Sequence, residues 1–306
     1  MKRRHIFVMV YLVLIVASTV IAQAATSLGE VKKNDQSSTE YKLVWSDEFD
    51  KDGRPDPCNW TYERGFVRNE ELQWYQPDNA RCENGLLIIE GRRERKPNPR
   101  HKPNSKSWRE NRRYYEYTSA SITTKGLHNW MYGRFVMRGR IDTRAGLWPA
   151  FWTLGIKGRW PSSGEIDIME YYQGVLLANA AWGTEKRWVP KWDDIRVPIT
   201  DFNDPHWPTK FHIWRMDWDV DSIKLYVDDI LLNTIDLKKT FNKDKEGKNP
   251  FRQPHYIIMN LAIGGLAGGN PSNTKFPAKF EVDYVRVYKK RLKNTTAAPS
   301  ATEDMQ

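Results

Sequence analysis

The chain has 306 residues, 40% hydrophobic, 28% charged and 13% aromatic, with a formal charge of +10 and a mean hydropathy of −0.72. Fourteen Trp, fourteen Tyr and eleven Phe exclude a solvated coil, and a polar body with its one long apolar run at the N-terminus excludes a membrane-spanning one. Two cysteines, Cys58 and Cys82, exclude a disulfide-built scaffold and a Cys-rich zinc module.

The first residues address the compartment. Lys2, Arg3 and Arg4 precede an apolar stretch over residues 6–20, and Ala22-Gln23-Ala24 offers small residues at cleavage spacing. This is the pattern of a secretory signal peptide cut between Ala24 and Ala25. We therefore expect residues 1–24 to be removed and the mature chain to be secreted or periplasmic, with no membrane span. Loss of the three basic residues takes the charge from +10 to +7. Residues 25–40 read as a polar leader or linker. In an exported chain Cys58 and Cys82 form either a disulfide or two thiols, and spacing alone does not choose. Residues 41–289 carry no internal repeat and no Pro/Ser linker, so they read as one domain, followed by a disordered polar tail over 290–306.

Strands dominate that domain. Residues 86–90, 120–124, 132–140 and 223–228 show strand composition or alternation, and Asp228-Asp229 turns the last of them into a hairpin with 230–233. Two further strands fall at 256–263 and 280–288. Many strands, turn signals and no long helical pattern predict an all-β sandwich, with a jelly roll of the right size.

The chemistry sits in Gly164-Glu165-Ile166-Asp167-Ile168-Met169-Glu170-Tyr171. On an extended strand Glu165 and Asp167 share one face while Ile166 and Ile168 take the other. Strict alternation sends Glu170 to the apolar side, and a single bulge at Ile168 or Met169 returns it to the acid face. Three carboxylates on one face raise one another's pKa, so the row makes sense where acids differ in role. Trp148, Trp152, Trp160 and Trp182 flank it.

Glu-Ile-Asp-Ile-Met-Glu resembles the active-site strand of glycoside hydrolase family 16, in the bulged variant of laminarinases, agarases and carrageenases. Other segments resemble the family in the expected order: Trp45-Ser46-Asp47-Glu48-Phe49, Asn69 to Tyr75, Trp148-Pro149-Ala150-Phe151-Trp152, Asn260 to Gly265, and Val282 to Tyr288. The resemblance implies a β-jelly-roll sandwich with a concave cleft and endo-acting, retaining hydrolysis of β-linked glycans. Carried over residue by residue, Glu165 is the nucleophile, Glu170 the general acid/base, and Asp167 the assisting acid between them. Trp148 and Trp152 match a cleft motif, Trp130 matches more loosely, and Asn69 and Glu70 match residues that hydrogen-bond sugar. Two histidines four apart on the next strand of laminarinases are replaced by Ala178 and Trp182, which puts a stacking surface beside the acid/base. A structural calcium is implied, with Glu48 and Asp283 as the matching side chains; catalysis itself requires no cofactor.

The expected substrate is a β-1,3 or mixed β-1,3/1,4 glucan. The alternative is a β-galactan such as agar, porphyran or carrageenan, or a host galactose-containing glycan; a non-catalytic carbohydrate-binding jelly roll has no need of three crowded carboxylates. Residues 92–113 carry ten basic residues against Glu94 and Glu110. That segment reads as a loop, either solvated or in contact with an anionic glycan. Nucleic acid is not an expected partner, since the charge is concentrated in one segment of an exported chain, and we expect a monomer acting on a polysaccharide.

Overall fold

The computed structural model describes residues 41–291. The expectations for the signal peptide, the leader and the tail beyond residue 291 lie outside the described residues.

The alternating apolar runs pair into two sheets. The outer sheet holds β1 (Tyr41–Asp47), β3 (Gln73–Tyr75), β4 (Ala80–Glu83), β5 (Leu86–Pro97), β6 (Tyr114–Ser119), β8 (Gly133–Arg140), β14 (His212–Trp218), β15 (Ser222–Val227), β16 (Ile230–Asp236) and β18 (Ala278–Lys290). The second sheet holds β2 (Thr61–Tyr62), β7 (Ser121–Thr123), β9 (Leu147–Gly155), β10 (Glu165–Tyr172), β11 (Val175–Gly183), β12 (Pro190–Asp193), β13 (Arg196–Pro198) and β17 (His255–Ile263). Its strands run in the order β12-β11-β10-β9-β17-β7-β2, so strands distant in sequence lie side by side, as a jelly-roll sandwich requires. Pairing is antiparallel except between β3 and β6.

Period-two patterning builds the core between the sheets. In β14 His212, Trp214, Met216 and Trp218 point inward while the residues between them are half-exposed. Phe135, Phe151, Trp214 and Phe280 are completely buried, and they meet there with Ile166, Ile168 and Ile257. A second, small apolar cluster of Ala150, Trp152, Tyr256 and Ile258 lies on the opposite face of β9 and β17. That face is the floor of the cleft.

Cys58 is exposed, Cys82 is buried, and both are free thiols; burial pushes the Cys82 thiol up to about 12. The basic segment is only partly a loop. β5 continues through Arg92, Arg93, Arg95 and Lys96 and pairs with β6. Along the extension Arg92 meets Glu90, Lys96 meets Glu94 and Arg95 meets Glu116. Its charges are locally balanced, which composition alone hides.

Candidate active site

β10 carries the bulge. Asp167 pairs with Trp152 of β9, and the next pair along is Met169 with Phe151, so Ile168 is the extra residue. Against β11 the register likewise slips between Asp167 and Glu170. Ile166, Ile168, Met169 and Tyr171 therefore all enter the core, while Glu165, Asp167 and Glu170 emerge together into the cleft. One backbone irregularity assembles the triad.

The cleft encloses about 850 Å³. Its lining spans β12, β11, β10, β9 and β17, a reach of about 19 Å at the usual strand spacing. Each outer acid has one tryptophan donor: Trp160 Nε1 donates to Glu165 Oε2 and Trp148 Nε1 to Glu170 Oε1, both at 2.6 Å. Burial raises both carboxyls to about 7. The opposing influences differ. For Glu165 they are the Trp160 donor, the positive charge of Arg68 and a hydrogen bond from Asp167. Glu170 has Trp148 and Arg196 on that side, but Glu165 and Glu71 push its pKa further up. Asp167 is raised well above the ordinary carboxylate range, by burial and by the two glutamates beside it. Its Oδ2 has no hydrogen-bond partner among the described residues, and its hydrogen bond to Glu165 favours the protonated form of Asp167.

Of the aromatic candidates, Trp148 and Trp152 line the cleft, and Trp152 is held by donating from Nε1 to Asn260 Oδ1 at 2.8 Å. Trp182 does not line it. It is 3% exposed in the inter-sheet core, edge-on to Phe251, and Ala178 is in the core as well. The cleft-facing partners of the acids on β11 are Leu177, Asn179 and Ala181, one residue out of step with that expectation. None is a histidine. Trp130 is also away from the cleft, packed on the core between Trp45, His128 and Phe135. Its backbone bridges to His255.

In the early loop Asn69 reaches the cleft but Glu70 does not; Glu71 takes that place, 2% exposed and hydrogen-bonded by Gln73 Nε2 at 2.7 Å. Asn69 and Glu70 both adopt left-handed backbone, which turns the chain there and swaps the expected face. Gly265 makes room for this turn: a Cβ on it would lie 2.6 Å from the Asn69 carbonyl oxygen. Residues that sequence reasoning did not assign also line the site: Arg68, Glu71, Trp188, Trp192 and Arg196. The adjacency of Arg68 to Asn69 was the signal available for the first of them.

The carboxylates implied for calcium do not fit that ion. Glu48 accepts both Nε and Nη2 of Arg286 at 2.9 and 2.7 Å, and Asp283 accepts Arg138 Nη1 at 2.6 Å. Each is already neutralised by a guanidinium, and no group of three His, Cys, Asp or Glu suited to a metal occurs among the described residues.

Three arginines of the basic segment donate to backbone carbonyls. Arg109, on the short helix α1 (Trp108–Asn111), donates to the carbonyls of Phe66 and Val67. Arg112 donates to those of Glu71 and Glu70 at 2.6 and 2.7 Å and lies over Phe66 and Trp108. Arg93 donates to the carbonyls of Pro271 and Ser272. These guanidiniums hold loops, where a substrate-contact role was one expectation.

A β-sandwich whose open cleft combines crowded acids with indole platforms is the architecture of a polysaccharide-cleaving enzyme. The family model for glycosyl hydrolases family 16 matches residues 100–286. The β-glucanase of Rhodothermus marinus is 37% identical over 81% of this chain and 85% of its own length. The solved structure of a laminarinase from Rhodothermus marinus superposes with a TM-score of 0.66 at 36% identity, covering 83% of this chain and all of that one. A structure from work on endo-acting O-glycanases that prominent members of the human gut microbiota express to initiate mucin breakdown has a TM-score of 0.74 at 36% identity, covering 82% and 91%. The chain belongs to glycoside hydrolase family 16 and is a glycoside hydrolase.

Proposed function

We propose that this protein is an exported, endo-acting β-glycanase that cleaves internal β-1,3 or mixed β-1,3/1,4 linkages of a neutral glucan with retention of configuration. The observation that carries this reading is the unequal surroundings of Glu165 and Glu170 on one strand face. Arg68, the Trp160 N–H and the Asp167 O–H all favour Glu165 as the anion, and the carboxylates facing Glu170 favour its protonated form.

In the first step a Glu165 oxygen attacks the anomeric carbon while Glu170 gives its proton to the departing glycosidic oxygen. The bond to the leaving sugar breaks and a glycosyl ester forms on Glu165. In the second step Glu170, now a carboxylate, takes a proton from water, whose oxygen displaces Glu165 from the same face the leaving group occupied. Asp167 hydrogen-bonds Glu165 throughout and returns it as a leaving carboxylate. The proposed chemistry draws on side chains alone.

A cleft crossing five strands suits an internal stretch of polymer, with Trp188 and Trp192, 53% and 39% exposed, as platforms on the β12 side. A neutral substrate fits the charge of the cleft. Glu71, Glu165, Asp167, Glu170 and Asp194 line it against Arg68, Arg109 and Arg196, and Arg109 is already committed to backbone carbonyls. Similarity to the Rhodothermus β-glucanase supports a glucan.

A second reading, cleavage of a neutral galactose-containing host glycan, is supported by similarity to the structure from the O-glycanase work and by the absence of histidine from the cleft positions of β11. The test is a substrate panel of laminarin, barley glucan, agarose, porphyran, carrageenan and desialylated mucin, with products sized by chromatography. Ladders of oligosaccharides from laminarin or barley glucan are expected. Cleavage of mucin glycans alone would establish the second reading, and activity confined to the sulfated polymers would contradict both.

A further inference from the structure

Two strands away from Glu170 the cleft holds a cation that neither step of the proposed chemistry uses. Arg196 of β13 pairs with Leu177 of β11, and Leu177 pairs with Glu170 of β10. The three stand in one row on the cleft face, with the Cα atoms at its ends about 10 Å apart, twice the strand spacing. Tyr172, two residues beyond Glu170, points the same way and lines the cleft with them. Trp148, whose N–H donates to Glu170, meets the Tyr172 ring edge-on at 5.3 Å between centroids, and the Arg196 guanidinium lies over that ring at 5.5 Å. The other arginines of the cleft are committed, Arg68 to Glu63 and Arg109 to the carbonyls of Phe66 and Val67. Arg196 is exposed, and among the described residues no carboxylate forms an ion pair with it. The Tyr172 hydroxyl is a partner for one of its donors, and the fork carries five. Resting on an aromatic ring fixes the plane of that fork, so the remaining donors stand open to a ligand and already oriented.

We propose that Arg196 is a substrate-orienting residue, its guanidinium fork hydrogen-bonding the hydroxyls of a neutral sugar bound between Glu170 and Arg196 against the Tyr172 ring. The inference rests on the reading of Glu170 as the acid/base and adds to it the donor that positions the glycan on that side of the site. A sugar suits the place because it brings both surfaces the subsite offers to meet: C–H groups for the ring and hydroxyl acceptors for the fork. The acceptor is neutral because Asp194 lines the same end of the cleft and Glu170 becomes a carboxylate once it has given its proton. A sulfate or carboxylate held by Arg196 would lie next to both. The same guanidinium is the positive charge felt by Glu170, so filling the subsite and tuning the acid/base share one side chain.

Two variants separate these contributions on whichever glycan the wild type cleaves. Arg196→Lys keeps the charge and loses the fork; KM should rise about tenfold, the equivalent of one hydrogen bond to a charged group. On a defined oligosaccharide of that glycan the bond preferred for cleavage should shift, because one subsite has weakened. The basic limb of kcat/KM should stay in place. Arg196→Met loses both fork and charge. Its KM and cleavage pattern should change at least as far, and its basic limb should move to higher pH, because Glu170 without that cation keeps its proton longer. Trp148, Glu165, Asp167, Glu71 and Tyr172 also face Glu170 and are the same in both variants, so the difference between them isolates the charge. Melting temperatures report folding, and a merely structural role would leave the cleavage pattern where it was. Wild-type KM and cleavage pattern in both variants would overturn this inference alone. So would a KM effect confined to sulfated or carboxylated glycans and abolished by salt. Full activity in Glu170→Gln on a natural polymer would remove the functional reading and this inference with it.

Discussion

The three acids are placed where they work against the fold. Glu165 and Glu170 have folded-state pKa values of about 7 against an ordinary 4.5 because burial penalises their charge. A carboxyl raised in this way contributes stability that is present below its ordinary pKa and lost as pH rises through the folded value. Each therefore weakens the protein at pH 8 by on the order of 3 kcal/mol. Glu165→Gln and Glu170→Gln are each expected to cut turnover by orders of magnitude and to raise the melting temperature by several degrees at pH 8. The gain should fade toward pH 5, where the wild-type acids are protonated. Burial and the two neighbouring glutamates favour the protonated form of Asp167, so Asp167→Asn should change the melting temperature less than Glu165→Gln or Glu170→Gln. Calorimetry across pH 5–8 checks all three. The identities and grouping of the acids were legible from alternation plus one bulge. Their inequality was not, because Arg68, Glu71 and Arg196 reach them from other segments.

At the scale of elements, the cleft is shaped by a loop that arginines hold in place. Arg109 and Arg112 of the α1 region grip four backbone carbonyls, those of Phe66, Val67, Glu70 and Glu71, and Gly265 admits the loop's tight turn from the other side. Hydrogen bonds from charged donors are worth about 1.5–3 kcal/mol each, and part-buried ones are weakly screened by salt. Arg109→Gln with Arg112→Gln should therefore lower the melting temperature and raise KM on a neutral glycan, at low and high ionic strength alike. A KM effect confined to sulfated polymers and abolished by salt would instead mark these arginines as anion contacts. The basic run was visible in the sequence but its task was not, since a carbonyl acceptor leaves no mark on composition. Strand periodicity has a comparable blind spot. A one-residue error on β11 exchanges Trp182 for Ala181 and moves an indole from cleft to core, because faces alternate with every residue.

Across the whole molecule, the two-sheet architecture was the most legible feature. Strands β8, β15, β17 and β18 fall within two residues of their expected bounds; β15 alternates buried and open positions, whereas β17 is a continuous buried run of strand-forming residues. The short edge strands β12 and β13 were missed; they are largely exposed, so no buried face imprints a period on them. The global charge misleads about the site in the same way. A chain of formal charge +10 keeps an acidic cleft, with many of its arginines paired to carboxylates or stacked on aromatic rings elsewhere.

The central claim is double displacement through Glu165 with Glu170 as acid/base, and the configuration of a trapped product tests it most directly. Glu170→Ala, given an activated aryl β-glycoside and azide, still forms the ester on Glu165, since such a leaving group departs without a proton. Azide then attacks from the face that water would use. Nuclear magnetic resonance of the product should show a β-glycosyl azide, released faster as azide increases. An α-glycosyl azide from this variant would mean direct displacement at the anomeric carbon and would contradict the account.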